Sequence, residues 1–518
     1  ERGCIMLRTS KIKINHKQFK EFAINKVYLT RHFENIYLLL LRQDYEQDIG
    51  DWNKLINFKI MRAVIRDNKG GKRYREDIEY IKEKYKDHQL MQDLIEVGQE
   101  LKIHNLVMTM KKVKNDYKSY FSKLDNGKES NPPQPKKLST MNSYTLKLDN
   151  SNSFSLFKKG ENKLGITLDH NVGRQYLKVN HKQLTKLVDG DLDNIQTIDL
   201  QYSNGDLYIL VMYHHQVKEI KDNKPNKIAG IDIGVNNLAS IYIDDQNSPS
   251  LIVDGKKYKT YNAQFNRFIA KLSNTIDTLK NEDRDNEKKI KYLKKYKSHL
   301  FEKRNRFFFD QFHKVSKRIL EYLDKHDVTE LVIAKNLSRL KNDGGCNLQK
   351  KTKQNFIQIP FIKLLENLEY KAKDFGIKVI IVDESYTSKS NSCTDDIYKA
   401  HSLVNKIKEL KNKLEKAEGR QYYKLKSLIN AYKKTLKKYS FQGRRIKRGL
   451  YIDEVNDKAY NADLNAARNI VKLSENYKKR KEKINYSKLC NPIKVKNDYE
   501  FCKLLKERWE YKIKKKVA

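Results

Sequence analysis

The sequence predicts a multidomain α/β protein, and three observations carry that expectation. Apolar residues recur at helical spacing over the first quarter of the chain, and short alternating segments crowd between 138 and 220. From 226 onward, apolar strands alternate with helical stretches. A single core stops growing at about 250–300 residues, so a chain of 518 residues implies two to four domains.

Taken in order, "SKIKINH" (10–16) alternates and reads as a strand. Residues 17–125 read as helical, as in "FKEFAINKVYLTRHFENIYLLLL" and "LMQDLIEVGQELKIHNLVMTM". The segment "DNGKESNPPQPKK" (125–137) holds three of the seven prolines and marks a boundary. "SYTLKL", "SFSLF", "LGITL", "QYLKV", "TIDLQYS" and "LYILVMYH" then read as short strands, with a hairpin around "SNGD" (203–206). A helical lobe (17–125) is therefore expected after the first strand (1–16) of a β-barrel-like domain whose remainder spans 126–225.

The third region opens with "KIAGIDIGVNNLASIYID" (227–244), an apolar strand, a glycine-bearing turn and a second strand. A highly charged helical stretch (262–326), a buried strand "VTELVIAKNL" (328–337), a helix (360–375) and the strand "KVIIVDES" (378–385) follow. Strands separated by helices imply a mostly parallel sheet with right-handed crossovers. This domain is placed at 226–398 and 439–475, interrupted at 399–438 by a helical hairpin and followed by a basic tail, 476–518. Leu403, Ile407, Leu410 and Leu414 form one stripe of the hairpin; Leu425, Leu428, Tyr432 and Leu436 form the other.

Charge points to the class of partner. Lys and Arg number 107 against 65 Asp and Glu, a net +42, and such self-repulsion disfavours the compact state unless a polyanion relieves it. Nucleic acid is the commonest such partner, bound through phosphates with release of counterions. With 32 Tyr and 19 Phe the chain is too aromatic for a disordered basic tail. There is no apolar run near 18 residues and no secretory signal, so a soluble, cytoplasmic protein without a membrane partner is expected. Glu1 in place of Met reads as a clipped or tagged start. Cys4, Cys346, Cys393, Cys490 and Cys502 are scattered with no C-x-x-C pair, which argues against a disulfide framework and against a zinc ribbon.

Three acids stand out by context. Asp232 lies inside the apolar "AGIDIGV", where a carboxylate is costly to bury unless a cation or donors meet it. Glu384 ends the strand "VIIVDES", and Asp463 lies in "YNADLNAARNIV", whose Ala462, Ala466, Ala467 and Ile470 imply a helix packed closely on the sheet. Two strands and a helix can thus bring three oxygen ligands to Mg²⁺. Two such ions roughly 4 Å apart can activate water and stabilise a leaving phosphodiester oxygen. Taken singly, Asp232 reads equally as a strand-end or satisfied buried acid, and Asp463 reads more readily as a helix cap or surface acid than as a ligand.

"GIDIGVNNLA" followed by "NADLNAARNI" resembles the first and third RuvC motifs of the TnpB family, transposon-encoded RNA-guided nucleases related to miniature type V CRISPR effectors. The resemblance extends to "NFIQIPFIKLLENLEYKAKDFGIKVIIVDESYTSKS" (355–390), "FQGRRIKRGLY" (441–451) and the "NPPQPKK" boundary. It implies an RNase H-like RuvC nuclease domain with helical insertions, preceded by a wedge domain (the barrel) and an all-α recognition lobe. It implies cleavage of double-stranded DNA beside a short recognition motif, with a guide RNA pairing to the target strand as an RNA–DNA heteroduplex. Asp232, Glu384 and Asp463 would then be the catalytic residues and the ligands of two Mg²⁺ ions.

The chain departs from the family pattern twice. The usual second glutamate would stand at the end of "ELVIAKN", where this chain has Ala334; one branch of the family uses a Glu before "SYTS", here Glu384, with Asp383 turned to the opposite face of a regular strand. Where relatives carry paired cysteines, "SKSNSCTDD" holds only Cys393, so no structural zinc is expected and the hairpin takes that place. In "GRRIKRG" (443–449), Arg444, Arg445, Lys447 and Arg448 stand before the Asp463 segment, placed to grip nucleic acid or to form a solvated loop. In "KRNRFFFDQFHKVSKR" (303–318), Phe307, Phe308 and Phe312 read as core and His313 as a structural histidine. Two other readings stay open: a nuclease-inactive RNA-guided DNA-binding repressor, which Ala334 favours, and a basic nucleic-acid-binding or recombination protein without a guide.

Overall fold

The computed structural model describes residues 5–138, 143–148, 154–156, 163–169, 173–178, 194–203, 206–220, 227–282, 286–334, 358–415, 417–447, 449–478 and 484–505. The chain divides into two compact units, Ile5–Gln216 and the chain from Val217 onward.

In the first unit, β1 (Ile5–Lys13) leads into α1 (Lys17–Glu46), α2 (Trp52–Leu55), α3 (Phe58–Ile65), α4 (Arg75–Lys84), α5 (Gln89–Gln99) and α6 (Ile103–Asp125). The strand read at 10–16 instead runs from Ile5 and stops at Lys13, because the His16 ring accepts the Phe19 N–H at 3.2 Å and caps α1. The helices close on Phe33, Tyr37, Leu41, Met61, Leu94 and Leu106, all fully buried. β2 (Ser143–Leu148), β3 (Phe154–Leu156), β4 (Lys163–Asp169), β5 (Gly173–Lys178), β6 (Ile195–Ser203) and β7 (Asp206–Gln216) follow. Among the described residues they form two antiparallel sheets with β1, in the orders β1-β7-β6-β2 and β3-β4-β5. β1 pairs with β7 along its whole length, from Ile5–Gln216 to Lys13–Tyr208, so the strand before the helices is tied to the last strand of the unit.

The second unit begins with β8 (Ile228–Asp232), β9 (Asn237–Ile243) and β10 (Leu251–Asp254), then α7 (Lys256–Asn281), α8 (Glu287–Lys325), β11 (Glu330–Ala334), α9 (Phe361–Ala372) and β12 (Lys378–Val382). The helical pair α10 (Asp396–Leu414) and α11 (Gly419–Lys438) precedes a small antiparallel sheet, β13 (Gly443–Lys447), β14 (Leu450–Asp453) and β15 (Lys458–Asn461). α12 (Ala462–Lys472), α13 (Glu475–Lys478), α14 (Tyr486–Cys490) and β16 (Ile493–Val495) complete it.

The main sheet has the order β12-β11-β8-β9-β10-β16. It is mostly parallel with one reversed strand: β12, β11 and β8 run parallel, as do β10 and β16, whereas β9 runs against both β8 and β10. Only four residues separate β8 from β9, too few for the crossover that a parallel neighbour needs. One face of the sheet packs on Phe308, Phe312 and Leu320 of α8 and on Leu364 and Leu368 of α9. The other, with Tyr242, Val332 and Ala334, packs on Leu464, Ala467, Ile470 and Val471 of α12. The α10–α11 pair closes on Ala400, Ile407, Leu410, Ile429 and Leu436. Leu428, placed in the stripe from the sequence, is 42% exposed; Ile429 takes its place, because 425, 429, 432 and 436 follow the helical repeat more closely. Among the described residues no helix is long and apolar enough to cross a membrane.

Candidate active site

Register brings two of the three acids to one end of the sheet. Ile333 pairs with Ile231 and Ala334 with Val382 in parallel ladders. Asp232 is therefore level with Ala334, and Glu384 lies two residues beyond Val382. Side chains alternate with period two, so Asp232, Ala334, Val382 and Glu384 share the face on which α12 lies. Ala334 contributes only a methyl group at the end of β11, which leaves the way open from Glu384 to Asp232.

Asp463 reaches the same place from the first turn of α12. The Asn461 side chain caps that helix, accepting the N–H groups of Asp463 and Leu464 at 2.9 and 3.1 Å. Helix and sheet touch at Gly230, where an added Cβ would stand 2.3 Å from the Ala467 carbonyl oxygen and 2.9 Å from the Val471 nitrogen. Only glycine permits this approach, and the approach carries Asp463 to the sheet end.

The electrostatics show the convergence. The Asp232 carboxyl is held well above the usual carboxylate range, first by burial, then by the charges of Glu384 and Asp463, while Arg445 pulls the other way. Glu384 is also raised, by burial and by Asp383 beside it. Asp463 is engaged at both oxygens: Arg445 Nη2 donates to Oδ1 at 2.9 Å and Asn237 Nδ2 to Oδ2 at 2.7 Å. Ser240, the ladder partner of Asp232, is 1% exposed, and among the described residues its hydroxyl has no partner. Among the described residues no three His, Cys, Asp or Glu side chains stand grouped as a ready ion cage. The three acids share one field, and Arg445 supplies the positive charge at Asp463. Their hard oxygens fit a divalent cation, as do the raised Asp232 carboxyl and the unpartnered Ser240 hydroxyl. Such an ion would have to draw Asp463 away from Arg445.

Asp383 is turned elsewhere. It accepts from Ser385 N and Oγ at 2.9 and 2.6 Å, is ion-paired with Lys408, and lines a 670 Å³ cavity with Tyr398, His401 and Glu475.

The loop after Glu384 is fixed to the helix that carries Asp463. Asn465 Nδ2 donates to the Ser390 carbonyl at 2.8 Å, and its Oδ1 accepts Ser392 N–H at 2.9 Å. Asn469 donates to the carbonyls of Thr387 and Ser390 at 2.8 and 2.7 Å, while Arg468 and Lys472 donate to those of Ser392 and Thr394. A second knot joins this loop to the small sheet. Asn391 Nδ2 donates to the fully buried Asp453 at 2.7 Å, and Asp396 accepts from Asn391 N, Gln442 N and Tyr439 Oη. Cys393 donates its N–H to Asn391 Oδ1 at 2.9 Å.

Among the described residues of the basic cluster, Arg445 alone meets an acid of the site. Arg444 pairs with Glu454 at 2.8 Å, Lys447 is exposed, and Arg448 lies outside the described residues. Phe308 and Phe312 are core, Phe307 is partly buried, and His313 stands 3.3 Å from Tyr370 Oη. Asn237, Ser240, Asn465 and Asn469 escape a search for acids and cations, and Arg468 is not singled out by its sequence context. The signal was present in part: polar residues at 465, 468, 469 and 472 recur at helical spacing in a helix whose other positions demand burial.

Residues 210–340 match a family model described as a probable transposase, and residues 361–470 match one described as a Cas12f1-like TNB domain. A TnpB-like protein of Acidianus two-tailed virus, ORF457, is 26% identical over 171 residues, 33% of this chain and 35% of that protein. The chain thus matches about a third of that relative's length. Among solved structures, a Cas12f1–sgRNA–target DNA complex is 14% identical, covering 90% of this chain and 99% of that chain with a TM-score of 0.46. A CRISPR-Cas12f ternary complex is 15% identical, covering 91% and 87% with a TM-score of 0.31. A Cas12i1 R-loop complex after target DNA cleavage is 10% identical, covering 86% and 71% with a TM-score of 0.36.

Proposed function

We propose that this chain, whose family-model matches and TnpB-like viral relative point to the TnpB family, is an RNA-guided endonuclease that cuts double-stranded DNA beside a short recognition motif. The observation that carries the reading is the raised Asp232 carboxyl, crowded by Glu384 and Asp463 from two other elements. On this reading the second unit holds an RNase H-like nuclease domain. The helices and strands of the first unit form the recognition lobe and barrel-like wedge that hold RNA and target.

Asp232, Glu384 and Asp463 would hold the divalent ions, two Mg²⁺ on this reading, which when bound supply a water of lowered pKa and countercharge for the phosphodiester. The chain's own residues do the positioning. The sheet end orients Asp232, the clamped loop fixes Glu384, and α12 presents Asp463. Arg445, released from Asp463, would bind a phosphate oxygen as Arg does through its planar fork, and the neighbouring Arg444, Lys447 and, by its place in the sequence, Arg448 would add further cations to the nucleic-acid contact. Structural zinc is not part of the proposal, since hydrogen bonds around Asn391, Asp396 and Asp453 join the loop to the small sheet.

A second reading, a nuclease-inactive guided binder, draws on Ala334 and on the engagement of Asp463 by Arg445. One experiment separates them. RNA that co-purifies with the protein is sequenced, and a DNA duplex matching its guide segment is tested for binding and cleavage with Mg²⁺. The proposal expects cleavage by the native chain, and binding without cleavage by Asp232→Asn and Asp463→Asn. Binding without cleavage by the native chain would establish the inactive binder, and cleavage without any bound RNA would exclude a guide.

A further inference from the structure

The helical pair α7–α8 is built in two halves. From Phe307 onward α8 is docked on the sheet, burying Phe308, Phe312, Ile319, Leu320 and Leu323. Over Glu287–Arg306 it buries no residue. That half carries nine Lys or Arg (288, 289, 291, 294, 295, 297, 303, 304 and 306) against Glu287 and Glu302, a net of nine minus two, +7. It is tied to α7 by the Phe265 and Phe301 rings 5.1 Å apart, by Lys297 Nζ donating to Ser273 Oγ at 2.7 Å and, at its docked end, by Arg304 donating to Asn262 Oδ1 at 2.8 Å.

Large rings stand open among these cations. Tyr292 is 67% exposed, Phe268 48%, Phe301 41% and Tyr296 39%, with Phe268 edge-on to Tyr296 at 6.4 Å. Lys288, Tyr292 and Tyr296 follow one another at intervals of four residues, so they lie along one face of the helix. We propose that this arm, Phe268 with Lys288–Phe301, binds single-stranded nucleic acid, the rings stacking on bases and the lysines tracking phosphates.

Charge and spacing choose that occupant. A second copy of the arm would set +7 against +7. A protein partner is a poor fit, because charged residues are depleted at the cores of protein interfaces. Four residues of helix separate successive rings by about 6 Å, wider than the 3.4 Å step of a stacked duplex strand. Two rings at that spacing can receive bases from an unstacked strand, and stacking of this kind tolerates any sequence. The proposal goes beyond the nuclease reading and uses none of the three acids.

The test uses the full chain and 20-nucleotide oligo(dT) and oligo(rU) carrying 5-iodouracil (a size of the order of the ~4–16-nucleotide sites of such grooves). Photo-crosslinking followed by peptide mass spectrometry is expected to place adducts on Phe268, Tyr292 or Tyr296, and the DNA and RNA arms show which strand is preferred. Tyr292→Ala with Tyr296→Ala should weaken single-strand binding roughly tenfold or more and leave duplex binding within about twofold. Lys288, Lys289, Lys291 and Lys295 changed to Gln should lower the salt slope for both. Performing the same binding measurements in Asp232→Asn keeps the result separate from the fate of the nuclease reading. Adducts only outside the arm, equal loss of duplex and single-strand binding in the ring variant, or binding of the arm to anionic vesicles in preference to both oligonucleotides would overturn the proposal. Circular dichroism of the ring variant, whose changes lie at exposed positions, guards against misfolding.

Discussion

Arg445 donates a guanidinium N–H to Asp463 Oδ1 at 2.9 Å, joining the small sheet to the helix that carries the third acid of the site. The pair sits at the point where a cation is expected. Its energetic worth is small, because the Arg445 side chain is 37% exposed and exposed pairs contribute under about 1 kcal/mol. Its chemical worth is larger, since Arg445 also lowers the charge cost at Asp232.

Arg445→Gln should therefore shift the melting temperature little and lose most cleavage, with target binding kept. A variant that melts far earlier would assign Arg445 a structural role instead.

The raised carboxyls fix how metal-free protein responds to pH. A folded-state pKa above the ordinary value of 3.8 means that ionising Asp232 costs the folded state. That cost is absent below the ordinary value and grows as pH rises through the raised one. Asp232→Asn should thus melt higher than the native chain at about pH 7 without metal and converge with it toward about pH 4. Mg²⁺ should raise the melting temperature of the native chain at neutral pH, with proton release, and do so far less in Asp232→Asn. Equal stabilisation of both by Mg²⁺ would place the ion elsewhere.

Gly230→Ala should push α12 off the sheet, because the new methyl would meet the Ala467 carbonyl oxygen at 2.3 Å. Overpacking of this kind costs typically 1–3 kcal/mol. Cleavage should fall further than stability explains, since Asp463 rides on the displaced helix. Crystallography or a kcat measured well below the melting temperature distinguishes the two effects.

Local patterns and long-range pairings differ in what a sequence reveals. An acid inside "AGIDIGV" or small residues in "NADLNAARNI" mark themselves by contrast with their neighbours, and α/β alternation follows from local periodicity. The level placing of Ala334 with Asp232 and the Asn237 and Arg445 contacts on Asp463 depend on pairings that leave no local trace. The exchange of Leu428 for Ile429 in the hairpin core is subtler: a rotation of one residue around the helix decides it, and leucine and isoleucine are equally apolar.

Asn469→Ala should orphan the buried carbonyl of Thr387, at about 1–3 kcal/mol for a group left unsatisfied, while the Ser390 carbonyl keeps Asn465 as its donor. The loop that follows Glu384 would then loosen. Hydrogen exchange of residues 385–396 should accelerate in this variant and in Asn391→Ala, while Cys393→Ser should leave it nearly unchanged. Unchanged exchange in the asparagine variants would show that the loop is held by other contacts.

The central claim is that Glu384, and not its neighbour, completes the acidic site. The most direct measurement is guided DNA cleavage at saturating Mg²⁺ by RNA-bound Glu384→Gln and Asp383→Asn, with target binding recorded alongside. The account predicts that both variants bind, that Glu384→Gln loses cleavage, and that Asp383→Asn retains most of it, because Asp383 faces Ser385 and Lys408. Full cleavage by Glu384→Gln with loss in Asp383→Asn would contradict it.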